Sequence, residues 1–134
     1  KGAKVLDMCT GTGIIPVLLW AMNDLSSIDA VEIIPHVASM AQRTMKLNSL
    51  EDKIKVECLD LKKAPDFYGK KVFDAVTCNP PYMNAGGGLI NPSDELAIAR
   101  HEIACSLDDV VKSARAVLKP CGKIFTVTLK ELGI

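Results

Sequence analysis

Apolar residues in this chain fall into short runs of strand length that alternate with stretches of helical spacing, separated by glycine, proline or asparagine. Residues 4–6 read as a short strand ending in Asp7. The segment D-M-C-T-G-T-G then turns the chain into a buried helix carrying Ile14, Ile15, Val17, Leu18 and Leu19. Pro16 lies in the first turn of that helix, where its missing N–H costs little. Residues 28–33 read as a second strand. Pro35 opens a helix through Leu47 with Val37, Met40, Ala41, Thr44 and Met45 at helical spacing, and Asn48 and Ser49 stop it. A third strand covers 54–58, a polar connector with room for a short helix covers 62–71, and a fourth strand covers 72–78. The glycine-rich stretch M-N-A-G-G-G-L-I-N-P-S reads as a substrate-side loop, and a helix is predicted to start at Pro92 and run to about 100, with His101 and Glu102 near its end; a lone histidine in such a place is more often structural than catalytic. Ser106 to Asp109 resembles a capping box with Asp in place of Glu. Leu107, Val110, Val111, Ala114, Val117 and Leu118 form one apolar helix face, K-P-C-G is a tight turn, and 123–129 is a fifth strand. Strands alternating with helices predict a parallel sheet with right-handed crossovers.

The candidate chemistry sits at one edge of that sheet. Asp7 with the glycine turn, Glu32, Asp60, and the run Asn79, Pro80, Pro81, Tyr82 each follow or close a strand, and ligands bind at the carboxyl ends of parallel strands. A strand, a turn carrying Gly11 and Gly13, and an apolar helix form a nucleotide-binding arrangement, because glycine admits close backbone approach and a helix N-terminus offers amides. Glu32 stands at the offset, about 20 residues past the turn, from which an acid accepts ribose hydroxyls; a solvent-facing strand end is the plainer reading. Asp60 suits either an adenine amino group or a helix cap. In N-P-P-Y the Asn79 side chain and a proline-restricted carbonyl can accept both hydrogens of a planar amino group while Tyr82 stacks on the ring behind it. Such acceptors favour a pyramidal nitrogen with its lone pair free, which needs no strong base. A Pro-Pro loop with a surface tyrosine is the alternative.

Composition narrows the field. A chain of 134 residues with 49% hydrophobic and 24% charged residues is a single domain of ordinary globular make-up. Sixteen basic and sixteen acidic residues cancel, so no overall basic field announces a polynucleotide, and the lysine pairs at 62–63 and 70–71 read as solvated. Five cysteines without C-x-x-C spacing read as reduced thiols of a cytoplasmic protein, neither a disulfide frame nor a metal site. The longest apolar run is too short to span a bilayer. Position 16 is Pro where a dinucleotide fingerprint has its third glycine, which counts against a dehydrogenase.

On V-L-D-M-C-T-G-T-G, Glu32, Asp60, N-P-P-Y and L-K-P-C-G-K, the chain resembles class I S-adenosylmethionine-dependent methyltransferases over nearly all of residues 1–134, and within them the Asn-Pro-Pro-Tyr group that methylates amino nitrogens. The long loop running into A-R-H-E is similar to that of bacterial tRNA (adenine-N6) methyltransferases acting on the valine tRNA anticodon loop. The resemblance implies a Rossmann-like α/β three-layer sandwich with strand order 3-2-1-4-5. It implies S-adenosyl-L-methionine as cofactor, with Asp7, Cys9, Thr10, Gly11 and Gly13 around its methionine part, Glu32 on the ribose, Ile33, Asp60 and Leu61 about the adenine, and Asn79 also bordering the cofactor. It implies that Asn79, Pro80, Pro81 and Tyr82 hold a flipped-out base of a tRNA substrate. An rRNA or DNA adenine, a protein glutamine, or a cofactor-binding module without activity are the alternatives. Cys9 stands where the family has its first glycine, so a positive φ there would be strained. The family also has an upstream segment and further strands, so the chain reads as a core fragment.

Overall fold

In the computed structural model, which describes residues 1–80 and 106–126, five parallel strands form one sheet in the order β3-β2-β1-β4-β5. They are β1 (Ala3–Met8), β2 (Leu25–Glu32), β3 (Ile54–Cys58), β4 (Phe73–Cys78) and β5 (Leu118–Thr126). The helices are α1 (Ile14–Met22), α2 (Pro35–Leu47), α3 (Ala64–Tyr68) and α4 (Leu107–Val117), with a 3-10 turn at Leu61–Lys63. The order is the one that the family resemblance implies.

Alternation along the strands feeds two cores. Leu6 and Met8 of β1 join Val31, Phe73, Val76 and Cys78 on the side covered by α3 and α4, where Val110, Ala114 and Val117 pack down. Val5 joins Ile28, Ala30, Ile54 and Val56 on the other side, under Ala41 and Met45 of α2 and Val17, Leu19 and Trp20 of α1. Asp7, Glu32 and Thr77 therefore belong by alternation to the α1–α2 side. This fixes where the polar site lies.

Local chemistry explains the element ends. Pro35 occupies the first turn of α2, and past its end the Asn48 amide nitrogen and side chain both donate to the Thr44 carbonyl, at 3.2 and 2.7 Å. Ser106 caps α4 by accepting from the Asp109 amide at 3.1 Å while Asp109 Oδ2 accepts from the Ser106 amide at 3.0 Å.

Several expectations are revised. β1 runs through Asp7 to Met8, β2 starts at Leu25 and stops at Glu32, and β4 starts at Phe73. α1 is not buried throughout: Ile14 is 67% and Leu18 54% exposed, because a helix laid on a sheet seals only one of its faces. Leu107, at the start of α4, points to solvent for the same reason, and Ser113 fills a buried position on that helix instead. Leu118 leaves the helix and starts β5. The K-P-C-G turn is a loop-out inside β5, since Phe73 pairs with Leu118 and Ala75 with Lys123. Gly122 is required there: a Cβ would meet Leu118 Cδ2 and the Lys119 carbonyl oxygen at 2.9 Å each. Residues Pro81, Tyr82, His101 and Glu102, the helix from Pro92 and the last part of the fifth strand lie outside the described residues.

Candidate cofactor and substrate site

The sheet changes winding direction between β1 and β4, the crevice where doubly wound sheets bind ligands. Each predicted acid stands at that edge. Asp7 is the penultimate residue of β1, Glu32 the last of β2, Asp60 lies two past β3, and Asn79 directly follows β4. Backbone bonds continue the ladder past the strand ends, from the Thr10 amide to the Val31 carbonyl at 3.0 Å and from the Leu59 amide to the Glu32 carbonyl at 3.1 Å. The loops that follow three strands are thus held side by side.

The turn after β1 takes a left-handed backbone at Cys9 (φ 57°), Gly11 (φ 60°) and Gly13 (φ 90°). At Cys9 the strain follows, since a side chain in this conformation costs about 1–2 kcal/mol. Gly13 has a second constraint: a Cβ would stand 2.6 Å from Met45 Cε and 3.4 Å from Ala41 Cβ, so the turn packs directly on α2. Among the described residues nothing comes within 4 Å of a Cβ placed at Gly11, and no side chain caps α1 at Gly13, so one wall of the turn and the first amides of the helix can meet a ligand.

Glu32 ties this turn to the next one. Its Oε1 accepts from the Gly11 amide at 2.9 Å and its Oε2 from the Ile34 amide at 3.0 Å, with the side chain largely buried. Hydrogen bonds to a charged acceptor contribute roughly 1.5–3 kcal/mol each. Each oxygen keeps a further lone pair, so a pair of vicinal hydroxyls fits the same carboxylate.

Asp7 is fully buried. Its Oδ1 accepts from the Thr77 hydroxyl at 2.6 Å. Among the described residues, Asp7 Oδ2 and Thr10 Oγ1 are both buried and make no hydrogen bond of good geometry, yet the Thr10 hydroxyl lies close enough to the carboxyl to favour its charged form. Burial pushes the Asp7 carboxyl up to about 6; the Thr77 and Thr10 hydroxyls pull it down, and the charge of Glu32 pushes it further up. A buried carboxylate with one idle oxygen is a costly arrangement unless a cation meets it. These observations fit the cofactor that the resemblance implies, whose amino end is cationic.

Asp60 Oδ1 accepts from the Lys62 amide at 3.0 Å and caps the 3-10 turn, so the capping reading is realised, while Leu61 beside it is buried. Ile33 is half-buried after β2, with its carbonyl 3.7 Å from Cys58 Sγ. Asn79 is exposed and Pro80 half-buried at the end of β4, one strand away from the glycine turn. Sequence reasoning missed Thr77. Its signal was available in the alternation of β4, but only the pairing of β4 with β1 shows that it faces Asp7.

Fold and site together define a doubly wound α/β domain with a candidate ligand crevice at the carboxyl ends of its central strands. The family model described as methyltransferase small domain matches residues 1–134, and the chain belongs to that family. It is 28% identical over 123 residues to the tRNA1(Val) (adenine(37)-N6)-methyltransferase of Aliivibrio salmonicida, covering 92% of this chain and 50% of that protein. Against the protein of the same name from Bacteroides fragilis it is 29% identical over 129 residues, covering 96% and 53%. The chain thus spans about half the length of the curated relatives it matches. A SAM-dependent methyltransferase from Thiobacillus denitrificans, solved with S-adenosyl-L-homocysteine, shares the fold at TM-score 0.63 and 17% identity, over 93% of this chain and 41% of that one. Among the described residues no helix is long and apolar enough to cross a membrane.

Proposed function

We propose that this chain is the core of an S-adenosyl-L-methionine-dependent N-methyltransferase acting on the exocyclic amino group of an adenine in RNA, with tRNA as the substrate. The observation that carries this reading is the convergence of Glu32, Asp7 and Asn79 at the carboxyl ends of three adjacent strands, around a turn open at Gly11. The names of the relatives support the choice of tRNA adenine. The cofactor, when bound, supplies an electrophilic methyl group on a sulfonium.

The chain's own residues then divide the work. Glu32 accepts the ribose hydroxyls with its outward lone pairs. Asp7, Cys9, Thr10, Gly11 and Gly13 enclose the methionine part, with Asp7 facing its ammonium. Ile33 lies beside the adenine, with Asp60 and Leu61 toward its amino edge. Asn79 and the Pro80 carbonyl accept the two hydrogens of the target amino group, which frees its lone pair for attack, and Tyr82 stacks on the extruded base. The surplus proton of the alkylated nitrogen leaves to water, so no strong base is needed.

A second reading, methylation of a protein glutamine amide by the same acceptor pair, is favoured by the zero net charge of the chain. Methyl transfer from labelled cofactor to total tRNA, rRNA, DNA and a peptide-release factor separates the readings. Label in tRNA is the expected result. Label in the release factor moves the substrate to the glutamine amide, and cofactor binding without any transfer reduces the chain to a binding module.

A further inference from the structure

Thr77 is the one polar group touching the Asp7 carboxylate that the reaction scheme leaves without a role. It pairs with Asp7 across β4 and β1, and its hydroxyl donates to Oδ1 at 2.6 Å. A valine has nearly the same shape and suits a strand equally well, so packing alone gives no reason for the hydroxyl. We infer that Thr77 is a positioning residue for cofactor binding: its hydroxyl pins one oxygen of Asp7 and keeps the carboxylate charged, so that the other oxygen meets the cofactor's cationic amino end. This rests on the methyltransferase reading.

The surroundings make the hydroxyl consequential. From β2, Glu32 brings a charge of the same sign, and the turn brings the neutral Thr10. α1, on the same side of the sheet, carries no titratable residue between Ile14 and Met22. The titratable residues of α2, His36, Arg43 and Lys46, are exposed. Among the described residues, then, no cation offsets the burial of Asp7, and the Thr77 hydroxyl makes its one hydrogen bond of good geometry and outweighs Thr10 in favouring the charged form. Removing that donor favours the protonated acid, which cannot hold an ammonium.

Two measurements on the 134-residue chain test this. In carbon-13 NMR of the ligand-free protein, the wild-type Asp7 carboxyl is expected to titrate well above the usual aspartate range, at about 6. It is expected to move up by about one pH unit in Thr77→Val and to stay in place in Thr77→Ser. Calorimetry with S-adenosylhomocysteine is expected to show Thr77→Val binding about fivefold more weakly than wild type at pH 6, the two converging by pH 8 as both carboxyls ionise. An unmoved titration in Thr77→Val, with only a lower melting temperature, overturns the inference and leaves Thr77 a packing residue. A shifted titration without S-adenosylhomocysteine binding by the wild type instead removes the cofactor reading, and the positioning role with it.

Discussion

Glu32 and Gly11, 21 positions apart, are joined by a 2.9 Å hydrogen bond that locks the acid at the end of β2 onto the turn after β1. The carboxylate that is to receive a ribose also builds the loop that is to receive the rest of the ligand. Binding and local stability are therefore coupled through one side chain.

Glu32→Ala separates the two. It leaves the half-buried Gly11 and Ile34 amides without their acceptor, which costs about 1–3 kcal/mol for the two together, since water reaches part of each. Urea unfolding is expected to show a loss in that range, and calorimetry with S-adenosylhomocysteine at least a tenfold weaker affinity, about 1.4 kcal/mol. Unchanged affinity in a folded variant would remove Glu32 from the ligand site.

Asp7 has the opposite balance. Below 3.8 its carboxyl is protonated in folded and unfolded chains alike and costs nothing. As pH rises from 3.8 through about 6 the unfolded chain ionises first, so stability falls, and the loss is complete above 6. Asp7→Asn keeps an acceptor for Thr77 and removes the charge. The variant is expected to be more stable than wild type by about 3 kcal/mol at pH 7, with the gap closing toward pH 4, yet to bind cofactor at least tenfold more weakly. Equal unfolding midpoints at both pH values would contradict the buried, unpaired carboxylate.

Asn79→Ala is expected to abolish methyl transfer while S-adenosylhomocysteine affinity stays within about threefold, since the amide acts chiefly on the target amino group and only borders the cofactor. Transfer that persists in this variant would move the acceptor role to another residue.

At Cys9, the left-handed backbone predicts an order of stability rather than a single value. Cys9→Gly relieves about 1–2 kcal/mol of strain and gives back part of it in chain entropy, so it equals or exceeds wild type by up to about 1 kcal/mol. Cys9→Val adds a β-branched side chain to the same conformation and falls below wild type. Urea midpoints that rank Val above Gly would show that the turn relaxes.

Ser106→Ala removes one half of the cap on α4 and is expected to lower stability by about 1 kcal/mol, read as a lower melting temperature; an unchanged melting temperature would show that the cap contributes nothing.

Much of this architecture is legible from local chemistry. Pro35 at a helix start, Asn48 at its end and the Ser106–Asp109 pair act on backbone groups within a turn of themselves, so α2 and the start of α4 stand where the sequence places them. β3 does too, because an alternating run flanked by polar residues leaves it no other register. Glycine spacing and the offset of Glu32 likewise mark one edge of the sheet before any contact is known. Contacts between distant segments are different, since no local preference encodes them. That Thr77 meets Asp7, that Asp60 spends one oxygen on the Lys62 amide, and that Ile14 and Leu18 face outward all depend on which strand lies beside which and which helix face the sheet covers. Hydrophobic periodicity reports that a residue prefers burial; only the packed layers decide whether there is anything to bury it against.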